Sequence, residues 1–208
     1  MALRALARRS PAASMTVLGD LAQATAAGAQ VSWEQAIAHL GAPPVARRAD
    51  LDLGYRVPAS IMDMANGLLA EAAPDVTPCR SVRGGGREPE FVAVDGDEHA
   101  LGAEANRIAA ELAGIYGTVG VVVPASRRAG LGDLPAVVTV LDPPDAKGLE
   151  FDAVVVVEPA AIAGGDARGL RLLYVALTRA VQELVVVHAR PLPGALAGAP
   201  GAPSRPAA

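Results

Sequence analysis

Four short segments of this chain hold residue types suited to a phosphorylated ligand. In Leu18-Gly19-Asp20-Leu21-Ala22-Gln23-Ala24-Thr25, a glutamine on a loop could hydrogen-bond a phosphate oxygen or orient an attacking water; a plain polar turn reads the same way. Gly54-Tyr55-Arg56-Val57-Pro58 sets an aromatic able to stack on a base beside a guanidinium able to grip phosphate bidentately, and is equally a lead into a helix. In Asp145-Ala146-Lys147-Gly148-Leu149-Glu150-Phe151-Asp152, Gly148 permits a tight backbone approach and Glu150 could accept hydrogen bonds from ribose hydroxyls. A simple loop feeding the next strand accounts for that segment as well. Last, Arg171 and Arg179 flank Leu172 to Thr178, eight residues apart and so roughly on one helix face. Arg179 could stabilise charge developing in phosphoryl transfer or simply face solvent. Lys147 is the only lysine; the other 17 of 18 basic side chains are arginines.

Composition limits what else the chain can do. Its 208 residues suffice for one domain, or one and a half, with a full core. The net charge of −4 supplies no global basic field for polyanions, so any such contact must be local. Cys79 is alone, which excludes an internal disulfide and a cysteine-rich metal site. His39, His99 and His188 lack metal-ligand spacing, so no metal site is assigned. No run of 18 apolar residues is present to span a membrane. Residues 1–10 are Arg-rich and acid-free in the manner of a transit peptide, yet the spacing of Leu3 and Leu6 suits an ordinary helix. A reducing, cytoplasmic setting is the default expectation.

The elements that would position these segments alternate between strand and helix. Residues 15–19 read as a buried strand ending at Gly19-Asp20. Ser32 and Gln35 have capping-box spacing before a helix that Gly41-Ala-Pro-Pro stops. Helices are expected over 59–69, 98–116 and 167–181, and strands over 91–94, 119–123, 137–141, 153–157 and 184–188. Arg83-Gly84-Gly85-Gly86-Arg87 reads as a loop or hairpin tip. Continuous Val-rich runs suit strands covered on both faces. The pattern therefore predicts an α/β fold with a doubly wound, mainly parallel sheet. Functional loops in such sheets lie at strand C-terminal ends, and the four segments are expected there or at the helix starts beside them. From residue 191 onward Pro, Gly and Ala dominate, which predicts a disordered tail over 191–208.

Taken together and in order, Gly-Asp-x-x-Gln, Tyr-Arg, Ala-Lys-Gly-Leu-Glu-Phe and Tyr-Val-Ala-Leu-Thr-Arg-Ala resemble motifs III, IV, V and VI of the UvrD/Rep-like superfamily 1 helicases. The last two motifs are the specific ones. The resemblance implies a RecA-like, P-loop NTPase-type fold and the C-terminal lobe of an ATP-dependent DNA helicase, a hydrolase. It implies that Gln23, Arg56 and Arg179 contact the γ-phosphate as catalytic groups, that Tyr55 stacks on adenine and that Glu150, with Gly148 in its turn, holds the ribose. Lys147 and Thr178 would couple the site to movement.

The chain departs from the family in ways that narrow the expectation. No G-x-x-x-x-G-K-[ST] loop is present; Gly164 to Gly169 has the glycine spacing but continues Leu170-Arg171. No acidic Walker B strand precedes Gly19-Asp20. The expected organisation is a remnant of a first RecA-like domain over 1–30, a second RecA-like domain over 31–190, and the tail. ATP and Mg²⁺ are the expected cofactors, with the Mg²⁺ ligands on a P-loop domain outside this chain, and the chain alone is expected to hydrolyse nothing. Ala24-Thr25-Ala26-Ala27-Gly28-Ala29 stands where the family carries base-stacking aromatics, and the interval from Arg56 to Lys147 is too short for a large accessory insertion. Those departures resemble the HelD-like branch, which implies RNA polymerase as a partner beside or instead of DNA. The alternative is a truncated, non-catalytic module that docks on such a protein partner.

Overall fold

A sheet with two unlike apolar faces organises the molecule. The computed structural model describes residues 15–26, 28, 29, 32–40 and 47–202, without the side chains of His39 and Leu40. The transit-like start, the Gly41-Ala-Pro-Pro stop and residues 203–208 lie outside the described residues. The strands of the main sheet are β3 (Glu90–Ala93), β4 (Val119–Val122), β5 (Val138–Leu141), β6 (Phe151–Val157) and β7 (Ala180–His188). They run in the order β3-β7-β6-β4-β5, and every neighbouring pair is parallel. Parallel neighbours cannot be joined by a hairpin, so each return crosses a face of the sheet. Helix α4 (Glu98–Ala113) makes one return, from β3 to β4; α5 (Pro159–Ala163) and α6 (Ala167–Leu177) make another, from β6 to β7.

Alternation along the central strands divides the core in two. Ala153, Val155, Val157, Val185 and Val187 pack with Leu101, Ala105, Ile108 and Leu112 of α4. Val154, Val156, Leu184 and Val186 pack with α6, α5 and two helices from the first third of the chain, α2 (Ala59–Asn66) and α3 (Leu69–Ala72). Both faces being covered accounts for the unbroken valine runs in β4, β6 and β7. Strand β5 lies at an edge and is only half-buried, so the same valine signal there overstated its burial.

Several sequence expectations shift. Residues 15–19 form no strand: nothing among the described residues pairs with them, and Leu18 is 84% exposed. An apolar run without a neighbouring ladder has no strand to join. The helix at Trp33–Leu40 (α1) does form, and its Gln35 amide donates to Ser32 Oγ at 3.2 Å. The expected helix 59–69 breaks at Gly67 into α2 and α3. Helix α6 stops at Leu177 rather than 181, because Thr178 Oγ1 turns back onto the Tyr174 and Val175 carbonyls and Ala180 pairs with Phe151. The tail expectation fails for 191–202. Leu196 is fully buried in the core, and its amide closes a turn onto the Pro193 carbonyl. One well-placed apolar side chain suffices to anchor a Pro/Gly/Ala segment that composition alone leaves loose.

Candidate functional site

The four chemistry-bearing segments converge on one open cleft of about 930 Å³, lined by Gln23, Tyr55, Arg56, Glu150, Thr178 and Arg179 among others. Its position corrects the sequence expectation. Glu150 immediately precedes β6 and Arg179 immediately precedes β7, so the cleft opens at the N-terminal ends of these parallel strands, not the C-terminal ends. A bulge lies beside it: Phe151 pairs with Ala180 but Ala153 with Glu183, one extra residue on β7. Bulges re-aim the backbone at such places, and this one sits where Glu150 and Arg179 leave the sheet.

Arg179 is the most constrained of the group. Its side chain is buried, and the guanidinium donates to the Val175 carbonyl at 3.0 Å, the Leu149 carbonyl at 3.1 Å and Thr178 Oγ1 at 3.2 Å. All three acceptors are neutral; no carboxylate pairs with it among the described residues. Burial, and after it the Arg56 cation, hold its pKa below the ordinary arginine value, though it stays charged. A buried cation without a counter-ion is costly unless an anion completes it. The expectation that Arg171 and Arg179 share a helix face is overturned by the early end of α6: Arg179 faces the cleft, whereas Arg171 reaches the Ala24 carbonyl at 2.9 Å and the Ala72 carbonyl at 2.7 Å.

Tyr55 and Arg56 are presented by a two-stranded parallel ribbon, β1 (Leu53–Gly54) with β2 (Arg80–Ser81). Ser81 Oγ donates to the Val57 carbonyl at 2.6 Å, and Arg83 donates to the Arg56 carbonyl at 2.8 Å. The Arg-Gly-Gly-Gly-Arg loop thus begins with a side chain that fixes the backbone of a site residue. Tyr55 is 75% exposed at the rim, its ring face open to a stacking partner. Arg56 is ion-paired across the cleft to Glu150.

The Gln23 segment is held from two sides. Asp20 caps its short turn, Leu21–Gln23, by accepting from the Ala22 amide at 2.9 Å and from Gln23 Nε2 at 2.7 Å. Three cationic side chains then take three successive carbonyls: Lys147 Nζ that of Gln23 at 2.7 Å, Arg171 that of Ala24, and Arg168 Nε that of Thr25 at 2.8 Å. Gly148 carries a φ of 85° with no protein atom crowding it, which makes the left-handed turn after Lys147. Neither Lys147 nor Gly148 lines the cleft. Asp20 and Arg168 were not singled out from sequence; the i, i+3 spacing of Arg168 and Arg171 was the available signal. Lys147→Ala is expected to speed amide hydrogen exchange over residues 21–25 several-fold with little change in thermal midpoint, and Lys147→Arg to restore protection. Unchanged exchange in the alanine variant would show that the lysine contact does not hold the segment.

Deeper in the cleft, Tyr174 packs its hydroxyl 3.9 Å from Met62 Sδ. Burial, then Asp20 and Cys79, push that hydroxyl far above the ordinary tyrosine value, so it remains neutral. Burial likewise raises the Cys79 thiol. Among the described residues no group of three or more His, Cys, Asp or Glu could hold a metal ion, and no helix is long and apolar enough to cross a membrane. The side chains fit a phosphorylated nucleotide: a buried cation lacking a counter-ion, a second guanidinium, an open aromatic face and a carboxylate.

Comparison with known proteins bears on the same segments. Residues 138–187 match the family of UvrD-like helicase C-terminal domains. That stretch runs from β5 to β7 and carries Lys147, Gly148, Glu150, Thr178 and Arg179; Gln23, Tyr55 and Arg56 lie outside it. Among solved structures, the C-terminal domain of a possible DNA helicase from Lactobacillus plantarum WCFS1 shares the fold, with a TM-score of 0.50 and 23% identity over 70% of this chain and 94% of that one. The chain is thus an α/β protein whose mainly parallel sheet matches a helicase C-terminal, RecA-like domain. No curated protein sequence matches it.

Proposed function

We propose that this chain is a second RecA-like lobe of a UvrD-like motor and supplies half of an ATP site. The observation that carries the reading is the convergence of Gln23, Tyr55, Arg56, Glu150 and Arg179, from four separated segments, on one cleft. In this reading Tyr55 stacks on adenine, Glu150 accepts from the ribose, and Arg179 and Arg56 take γ-phosphate oxygens. Gln23 orients the attacking water. A P-loop lobe outside this chain would hold Mg²⁺, whose chemistry is to neutralise charge on the β- and γ-phosphates. Lobe closure on the nucleotide would dehydrate the site and strengthen each charged contact. The Lys147–Arg171–Arg168 grip on residues 23–25 would carry that closure into the sheet, with Thr178 fixing the end of α6 where Arg179 departs.

The finer reading is the HelD-like branch, with RNA polymerase as a partner. It is supported by the alanine-rich stretch after Gln23, which cannot stack on bases, and by exposed Leu51 and Leu53 on the cleft rim, which suit a protein surface. DNA remains the partner of the broader reading, and a non-catalytic docking module is the alternative for the chain alone. Titration of the purified chain with a fluorescent ATP analogue separates these: the half-site reading expects weak saturable binding without turnover, weakened at least tenfold in Tyr55→Ala. Absence of binding leaves the docking module.

A further inference from the structure

The free cleft holds an internal substitute for its ligand. Arg56 and Glu150, 94 positions apart in sequence, pair across the opening, and both line the cleft whose floor carries Arg179. Arg56 and Arg179 line the same cleft as two cations; Asp20 lines it too and favours the charge on Arg179, but the carboxylate ion-paired to Arg56 is that of Glu150. Glu150 therefore neutralises one cation while the site is free. We propose that this pair is a selectivity latch: it opens at low cost only for a ligand that gives Arg56 an anion and gives Glu150 a hydroxyl donor in the same event, as a ribonucleoside triphosphate does. The inference rests on the half-site reading above.

The chemistry of exchange separates ligands. A ribonucleotide trades one charge-assisted contact for two, phosphate on Arg56 and ribose hydroxyl on Glu150. Free polyphosphate must break the pair and then lie beside a carboxylate that has lost its partner. The Arg56 and Glu150 side chains are 61% and 40% exposed. Breaking so exposed a pair weakens binding only about two- to five-fold, and repulsion by the freed carboxylate brings the total discrimination to about tenfold. The latch is thus a filter against polyphosphate and released phosphate, not a lock.

Calorimetric titration of the full chain with ATP and with inorganic tripolyphosphate tests it, in the wild type, Glu150→Gln and the Arg56→Ala/Glu150→Gln double variant. Tripolyphosphate affinity is expected to rise about three- to ten-fold in Glu150→Gln while ATP affinity does not rise with it, since ATP also loses the charged acceptor of its ribose hydroxyl; the gain for tripolyphosphate should vanish in the double variant. If the wild type binds ATP but tripolyphosphate affinity is unchanged in Glu150→Gln, or rises in step with that of ATP, the latch is wrong and the half-site stands. If neither the wild type nor Glu150→Gln binds ATP, both fall together. Because the pair is exposed, Glu150→Gln is expected to fold as the wild type does, which its thermal midpoint checks.

Discussion

Arg179→Met is expected to abolish ATP turnover while leaving the fold nearly as stable as before. In the half-site reading the guanidinium stabilises charge on the transferring phosphoryl group, a contribution worth about 10³–10⁵ in rate in related chemistry. The stability side works differently. Arg179 sits buried among two carbonyls and a hydroxyl with no anion, and its lowered pKa means that the fold disfavours its charge. Replacement by methionine forfeits those hydrogen bonds but relieves a buried, uncompensated cation, and the two effects offset to within about 1 kcal/mol. Stability kept and rate lost together mark a residue retained for chemistry. The measurement combines a thermal melt of the chain with ATPase activity after a P-loop lobe is supplied. A collapse in thermal midpoint would assign Arg179 to the fold, and turnover within tenfold of wild type would remove it from the reaction. Arg179→Lys should behave like methionine in rate, since a point charge cannot keep three divergent contacts and still meet phosphate.

The sequence made the sheet legible because its signals were local. Val-rich runs at 119–123 and 153–157 suit strands buried on both faces, as β4 and β6 are; Asp97 and Asp166, which open their helices by accepting backbone amides, went unread. The site's composition was legible too, since the types and order of Gln23, Tyr55, Arg56, Glu150 and Arg179 survived as one cleft. Its position was not. The rule that ligands gather at strand C-terminal ends does not place this cleft: Glu150 and Arg179 lie at the opposite edge, just ahead of β6 and β7. Pairwise facts were equally hidden. Nothing in sequence tells that Arg56 meets Glu150, or that Lys147, Arg171 and Arg168 take three successive carbonyls, because such pairings join residues 94 to 147 positions apart. The lone lysine is the instructive case. Lys147 stands three residues before Glu150, yet its contact is with the Gln23 carbonyl, 124 positions away in sequence.

Gly169→Ala is expected to destabilise the chain most among single-methyl changes near the site, and to loosen the Gln23 segment with it. Gly169 lies in the first turn of α6, where that helix crosses the end of α5. A Cβ there would stand 1.9 Å from the Ala163 carbonyl oxygen, 2.5 Å from its carbon and 2.8 Å from the Ile162 oxygen. All three are backbone atoms, so no rotamer change relieves the clash; α6 must move as a body. In an exposed helix the same substitution would gain about 1 kcal/mol in propensity. Overpacking against fixed backbone costs about 1–3 kcal/mol or more, and the immovable contact puts this site at the upper end. The net loss corresponds to a fall in thermal midpoint of about 4–8 °C for a domain of this size. Because α6 also carries Arg168 and Arg171 to the carbonyls of Thr25 and Ala24, its displacement should release residues 21–25 to faster amide exchange at temperatures where the variant is still folded. Gly132→Ala, at a glycine with nothing within 4 Å of the added carbon, is the control and should melt within about 1 °C of wild type. Equal melting of both variants would mean that α5 and α6 do not cross as closely as described. Destabilisation without faster exchange over 21–25 would mean that the grip on the Gln23 segment does not depend on where α6 sits.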